Sequence, residues 1–142
     1  MSIGDHDDIR ALLNDWAKAL REKNADAIIA CQSDTVRHFS LAPPLEEIGN
    51  HRAGLQEWLD TWDGNLIFEI RNTDLRVGVD TAWCSALAKL GGKKIGRDEH
   101  AFWMRLTVAF AREDGQWRIV HIHESVPFAM DGQPLAIFDL EP

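Results

Sequence analysis

Residues 102–128 read FWMRLTVAFAREDGQWRIVHIHESVPF. Two apolar runs flank Asp114-Gly115, a dipeptide that favours tight turns between strands. The spacing predicts a long β-hairpin. On its second strand His121, His123 and Ser125 recur at period two, so they share one face. The loop length then decides what they face. A three-residue loop with Gly115 left-handed pairs Arg112 with Gln116. It gathers Trp103, Arg105, Thr107 and Ala109 with Trp117, Ile119, His121, His123 and Ser125, with Arg105 opposite His123 and Thr107 opposite His121. A two-residue loop pairs Arg112 with Trp117 and sets Arg105 opposite Glu124. The three-residue register is preferred because it sorts polar with polar. Its other face collects Met104, Leu106, Val108 and Phe110 with Val120 and Ile122.

Upstream of the hairpin the periodicity is helical. Asp5 is suited to cap a helix whose Ile9, Leu12, Leu13, Trp16 and Leu20 lie on one face. Asn24 can cap a short second helix carrying Ala27, Ile28 and Cys31. Thr35 to Ser40 reads as a strand, with Val36, His38 and Ser40 alternating. The loop LAPPLEEIGN follows, stiffened by Pro43-Pro44. Asn50 is placed to cap a third helix on which Leu55, Trp58, Leu59 and Trp62 share a face, and Gly64 to end it. Leu66 to Val77 and Thr81 to Leu90 read as strands, and GGKKIGRDE as a loop. The tail turns at Asp131-Gly132, and its Leu135, Ile137, Phe138 and Leu140 predict that it packs down.

Three helices followed by antiparallel strands give an α+β order. The expected architecture is a curved sheet with three N-terminal helices on one face, enclosing a cone, in a single domain over residues 1–142. The 142 residues suffice for a full core. With 15 basic against 23 acidic residues, a net charge of -8 and no clustered Lys/Arg stripe, a polyanion is repelled and nucleic acid is not an expected partner. The N-terminal MSIGDHDDIR is acidic and lacks the apolar core of a signal peptide. No apolar run approaches the roughly 20 residues of a membrane span. Cys31 and Cys84 lack metal-ligand spacing and read as buried free thiols of a reducing compartment. A cytoplasmic protein without membrane contact is expected.

The stretch WMRLTVAFAREDGQWRIVHIHESVPF resembles the C-terminal signature of SnoaL-like, ketosteroid-isomerase-homologue proteins of the nuclear-transport-factor-2-like superfamily. LAPPL at 41–45, Gly49, Trp58, Trp62 and Gly64 followed by FEI are also similar to it. The resemblance implies a curved antiparallel sheet, a helix-lined cone (a cystatin-like fold) and a homodimer. The superfamily holds isomerases, dehydratases, epoxide hydrolases, polyketide cyclases and non-enzymatic association domains, so it implies function only broadly. The steroid isomerases build an oxyanion hole from a tyrosine and a protonated Asp, and this chain has no tyrosine. The Asp-Arg-Asp arrangement of the epoxide hydrolases is absent around Arg105.

Read from the residues, His121 and His123 are the first catalytic candidates, because imidazoles exchange protons near neutral pH. The plainer alternative is a pair of hydrogen-bonded structural histidines. Arg105 would bind a carboxylate or a developing oxyanion, or else pair with an acid to hold the sheet. Trp16, His38, Trp58, Trp62, Trp103, Thr107, Trp117 and Ser125 complete the candidate pocket. Trp58 and Trp62 more often serve as core than as surfaces on which a ligand stacks. No third ligand accompanies the two histidines, so no metal and no cofactor are expected. The expected partner is a small, largely apolar organic molecule, and the expected chemistry is isomerase- or lyase-type proton transfer on a carbonyl compound. The other reading is an association module with a vestigial pocket. The apolar face of Met104, Leu106, Val108 and Phe110 is expected to join two copies through the sheet.

Overall fold

The computed structural model describes residues 3–142. In chain order the elements are α1 (Ile3–Arg21), α2 (Ala25–Ala30), β1 (Gln32–Phe39), β2 (Glu47–Ile48), α3 (Arg52–Asp60), β3 (Ile67–Val77), β4 (Thr81–Lys93), β5 (Glu99–Glu113) and β6 (Gln116–Ser125). The strands form one six-stranded sheet in the order β2-β1-β6-β5-β4-β3. All neighbours are antiparallel except β1 and β6, which are parallel. The α+β reading, with N-terminal helices on a curved sheet, is the fold observed.

The helices form where the apolar spacing placed them. Ile9, Leu13, Trp16, Ala17 and Leu20 of α1 are buried, while Arg10, Asp15 and Lys18 are exposed. Asn24 caps α2, its side chain accepting from the Ala27 N–H at 3.1 Å. Two expected caps are not caps. Asp5 lies inside α1 and instead accepts from Arg112 Nη2 at 2.7 Å and Trp117 Nε1 at 3.2 Å, clamping the helix onto the base of the hairpin. Asn50 leaves the N-cap of α3 to His51 and bonds two half-buried groups beneath the loop. It accepts from Gln32 Nε2 at 2.7 Å and donates to the Ser33 carbonyl at 3.1 Å. Partly buried polar groups need partners more than an exposed helix end does.

The hairpin corrects the preferred register. Asp114 (φ 50°) and Gly115 (φ 80°) form a two-residue loop, and Arg112 pairs with Trp117. Left-handed residues at both positions match the twist of the flanking strands, which a three-residue loop matches less well. The register then slips once. Phe110 pairs with Ile119 but Ala109 pairs with His121, so Val120 is the extra residue of a β-bulge. Beyond it Thr107 opposes His123 and Arg105 opposes Ser125. Arg105, Thr107, His121, His123 and Ser125 therefore do share a face, while Trp117 and Ile119 lie on the other one.

That other face is the core. Met104, Leu106, Val108, Phe110, Ile119 and Ile122 are at most 1% exposed, packed with Ile9, Leu13 and Trp16 of α1. The expectation that Met104, Leu106, Val108 and Phe110 join two copies is thereby overturned: this chain's own helices cover them. Ser85, Leu87, Trp103, Thr107 and His123 belong to the face turned away from the helices, where Trp83 is 46% exposed.

The expected loop at residues 91–99 is shorter than its composition suggests. Gly91 and Gly92 continue β4, and only Lys94 to Asp98 turn. Gly91 is required there, since a Cβ would lie 2.2 Å from the His100 carbonyl oxygen. The tail turns back, with Ala129 N–H donating to the Leu135 carbonyl at 2.8 Å and Phe138 against Phe102, ring centres 4.9 Å apart. Leu135, Phe138 and Leu140 nonetheless stay exposed and only Ile137 is half-buried, so the tail folds back without packing down as expected.

Candidate functional site

The cone between the helices and the inner sheet face encloses a cavity of about 980 Å³. Each element contributes through its own periodicity. Trp16 and Leu20 reach it from α1, Trp58 and Leu55 from α3, and Val36 and His38 from alternate positions of β1. Ile122 and Glu124 do the same from β6, and Leu41 to Pro44 close the mouth. The Trp58 and Trp62 rings meet edge to face, 6.0 Å apart at 84°. The walls are mostly apolar with a few polar groups, the usual composition of an organic-molecule site.

The polar groups fall into three sets. His38 Nε2 lies 2.5 Å from Glu124 Oε1, and both side chains face the cavity. β1 and β6 run parallel here, with His38 beside Ile122, which brings together residues 86 positions apart. Glu124 as a carboxylate accepts from the imidazole N–H, which makes Nδ1 the basic nitrogen. The second set is a chain of bonds in the wall: Trp16 Nε1 donates to Gln32 Oε1 at 3.1 Å, and Gln32 donates onward to Asn50. The third lies at the β4–β5 turn. Lys94 Nζ sits 4.0 Å from the Trp62 ring centre and 5.7 Å from that of Trp58, and donates to Thr61 Oγ1 at 2.5 Å. Burial, and after it the neighbouring Arg97 cation, hold its ammonium below the ordinary lysine value. Trp62 Nε1 is buried without an acceptor among the described residues.

Residues 9–129 match the model of the SnoaL-like domain. The chain belongs to the SnoaL-like family. A nuclear-transport-factor-2-like protein of unknown function from Pseudomonas putida KT2440 superposes with a TM-score of 0.88 at 32% identity, over 100% of this chain and 99% of that one. The association domain of C. elegans CaMKII superposes with a TM-score of 0.67 at 15% identity, covering 86% of this chain and 95% of that one. A protein of unknown function with a cystatin-like fold from Nostoc punctiforme PCC 73102 gives 0.72 at 13% identity, covering 87% and 92%. The last two share the fold alone. No curated protein sequence matches this chain.

Of the residues read as a site from the sequence, the SnoaL-like fold brings Trp16, His38, Trp58 and Trp62 to the cavity. His121, His123, Arg105, Thr107, Ser125 and Trp103 lie on the opposite face of the sheet. There His121 Nδ1 is 2.7 Å from the Arg37 carbonyl, and both histidine rings meet Phe39 edge to face. Arg105 Nε donates to Ser125 Oγ at 3.1 Å, and the Arg71 guanidinium covers Trp103. Trp117 is on the inner face but at the far end of the cone, bonded to Asp5. The row exists, on the side of the sheet turned away from the helices. Helices bury the more apolar of two faces, and that face contained Met104, Leu106, Val108 and Phe110. Glu124 was missed. Its signal was present, since it continues the phase of Ile122 and ends an apolar row in a carboxylate. Lys94 and Asp98, inside the stretch expected to be a loop, and His100 after it also line the cavity. Among the described residues no three His, Cys, Asp or Glu side chains cluster as a metal site.

Proposed function

We propose that this SnoaL-like protein binds a small, largely apolar organic molecule in the cone and moves a proton on it, as an isomerase or lyase acting beside a carbonyl group does. The observation that carries this reading is the His38–Glu124 pair, 2.5 Å apart inside an otherwise apolar cavity. A carboxylate on one imidazole nitrogen fixes the tautomer, orients the ring and stabilises the imidazolium that forms when the other nitrogen takes a proton. His38 is then the base and Glu124 its positioning residue. An apolar surround strengthens both interactions.

Among the described residues no helix is long and apolar enough to cross a membrane. We further infer a homodimer through the outer sheet face, where Trp83, Leu87, Trp103 and Phe39 supply apolar area among polar groups. Two structural neighbours are association domains by description, one of them that of C. elegans CaMKII, which supports the same reading.

Acetonaphthone, a rigid aryl methyl ketone, is a suitable probe. The expected outcome is calorimetric binding together with accelerated exchange of its methyl protons in heavy water, followed by NMR. His38→Ala and Glu124→Gln should abolish the exchange. Binding without exchange leaves a binder and removes the acid–base role. Neither binding nor exchange would favour an association module.

A further inference from the structure

The charges around the cavity are unevenly matched. Several exposed cations elsewhere are ion-paired, among them Arg37 with Glu46, Arg52 with Asp26, Arg76 with Asp74 and Lys93 with Asp63, while Arg10, Lys18, Arg21 and Arg105 point away from the cavity without an ion pair among the described residues. Lys94 and Arg97 both line the cavity, and among the described residues neither forms an ion pair. Glu57, Asp60 and Asp98 lie in the same neighbourhood without closing on either cation. Lys94 is also held in place. Its backbone bridges Trp62, Ile95 N–H donates to the Thr61 carbonyl at 3.0 Å, and Arg97 N–H donates to the Lys94 carbonyl at 3.0 Å. Thr61 Oγ1 takes one of its three ammonium donors.

We propose that the ligand of this cavity carries a carboxylate, held by Lys94 and Arg97 at the β4–β5 turn while its apolar body lies along Trp58 and Trp62. This rests on the reading of the cone as a small-molecule site, and it names the class of molecule. Two like charges side by side, one of them partly desolvated, repel each other, and a single anion between them relieves both. Burial first, and the Arg97 cation after it, hold the Lys94 ammonium below the ordinary lysine value. The three carboxylates nearby disfavour a dianion, so a carboxylate fits better than a phosphate ester. The carboxylate end and the His38–Glu124 pair are supplied by separate elements, the β4–β5 turn and the β1–β6 pair. The ligand then has two polar ends, an anion at the turn and a reacting carbonyl group at the dyad.

Lys94 also stands near the C-terminal end of α3, where a cation is favoured for structural reasons, so the test reads selectivity and not stability. The probes are an acetylnaphthoate, with its carboxylate and acetyl group at opposite ends of the ring system, and the matching neutral acetylnaphthamide. Calorimetry on the full chain should give the carboxylate at least about a tenfold tighter Kd than the amide, the scale of one well-made charge-assisted contact. Lys94→Met and Arg97→Gln should each shrink that preference, and together bring the carboxylate-to-amide ratio within about twofold. Arg97 is exposed, so its variant folds whatever Lys94→Met does. Equal affinities in the wild-type chain, or a preference that survives both substitutions, overturns the anion site and leaves the cavity reading intact. Failure of both probes to bind overturns the two together.

Discussion

The two faces of the central sheet carry the same strands and opposite lives. On β5 the inner residues Met104, Leu106, Val108 and Phe110 are at most 1% exposed. Their outward neighbours Arg105 and Thr107 are exposed, and Trp103 and Ala109 half-buried. On β6, Ile122 and Glu124 look into the cone while His121, His123 and Ser125 look away. A polar row next to an apolar one says that a strand has two faces. It does not say which face a helix covers. Area decides that, because burying apolar surface is the dominant favourable term in folding, at roughly 25 cal/mol per Å². The helices took the richer apolar face, and the polar row was left outside.

The largest effect should come from placing one charge on each side. Val108 is fully buried, so Val108→Glu puts an ionised group into the core without a partner, at a cost of several kcal/mol. It should abolish the cooperative thermal transition. Thr107→Glu, one residue away on the outer face, should change stability by less than about 1 kcal/mol. If two copies meet through that face, the same change should shift sedimenting mass from dimer to monomer. A folded, monomeric Val108→Glu would return the inner face to an interface and contradict its burial beneath the helices.

The inner face also holds a titratable group with no counterpart outside. Cys84 lies opposite Val108, and burial pushes its thiol up to about 11. Burial raises Cys31 as well. A thiol in the unfolded chain ionises at lower pH than the buried one. Its contribution is therefore fully present below about 9 and is lost as pH rises towards about 11. Chemical denaturation across that window should show stability falling by on the order of 2–3 kcal/mol. Cys84→Ala should flatten the slope, whatever its own cost at neutral pH. An unchanged slope would mean that Cys84 is not the group responsible.

How much of this was legible in the sequence differs by element. Helix faces were, because Ile9, Leu13, Trp16 and Leu20 repeat at a spacing only a helix uses, and Asn24 carries the chemistry of a cap. The hairpin was legible as a hairpin from Asp114-Gly115. The Val120 bulge was not, since inserting one residue into a strand leaves no mark in composition, yet it changes every pairing beyond it. The dyad was half legible. His38 was in phase with Val36, and Glu124 with Ile122, but nothing local announces a parallel pairing between β1 and β6. Lys94 was hidden by its flanking glycines, which read as loop although Gly91 is in the sheet to permit a close backbone approach.

The smallest predicted effect tests the same comparison most finely, because it concerns neighbours in sequence. His123 is exposed and meets Phe39 edge to face, with ring centres 5.3 Å apart, and it has no place among the cavity walls. Truncating it removes a contact that water already reaches, so His123→Ala should cost no more than about 0.5–1 kcal/mol in a thermal melt. Acetonaphthone affinity and methyl exchange should stay at wild-type values, since the face that carries His123 is separated from the ligand by the thickness of the sheet. Glu124, the next residue, should show the reverse: Glu124→Gln keeps the shape of the side chain and removes the charge that steadies an imidazolium at His38. Loss of exchange in His123→Ala with Glu124→Gln unaffected would mean that the reactive side of β6 is the outer one, and that the polar row is the site after all.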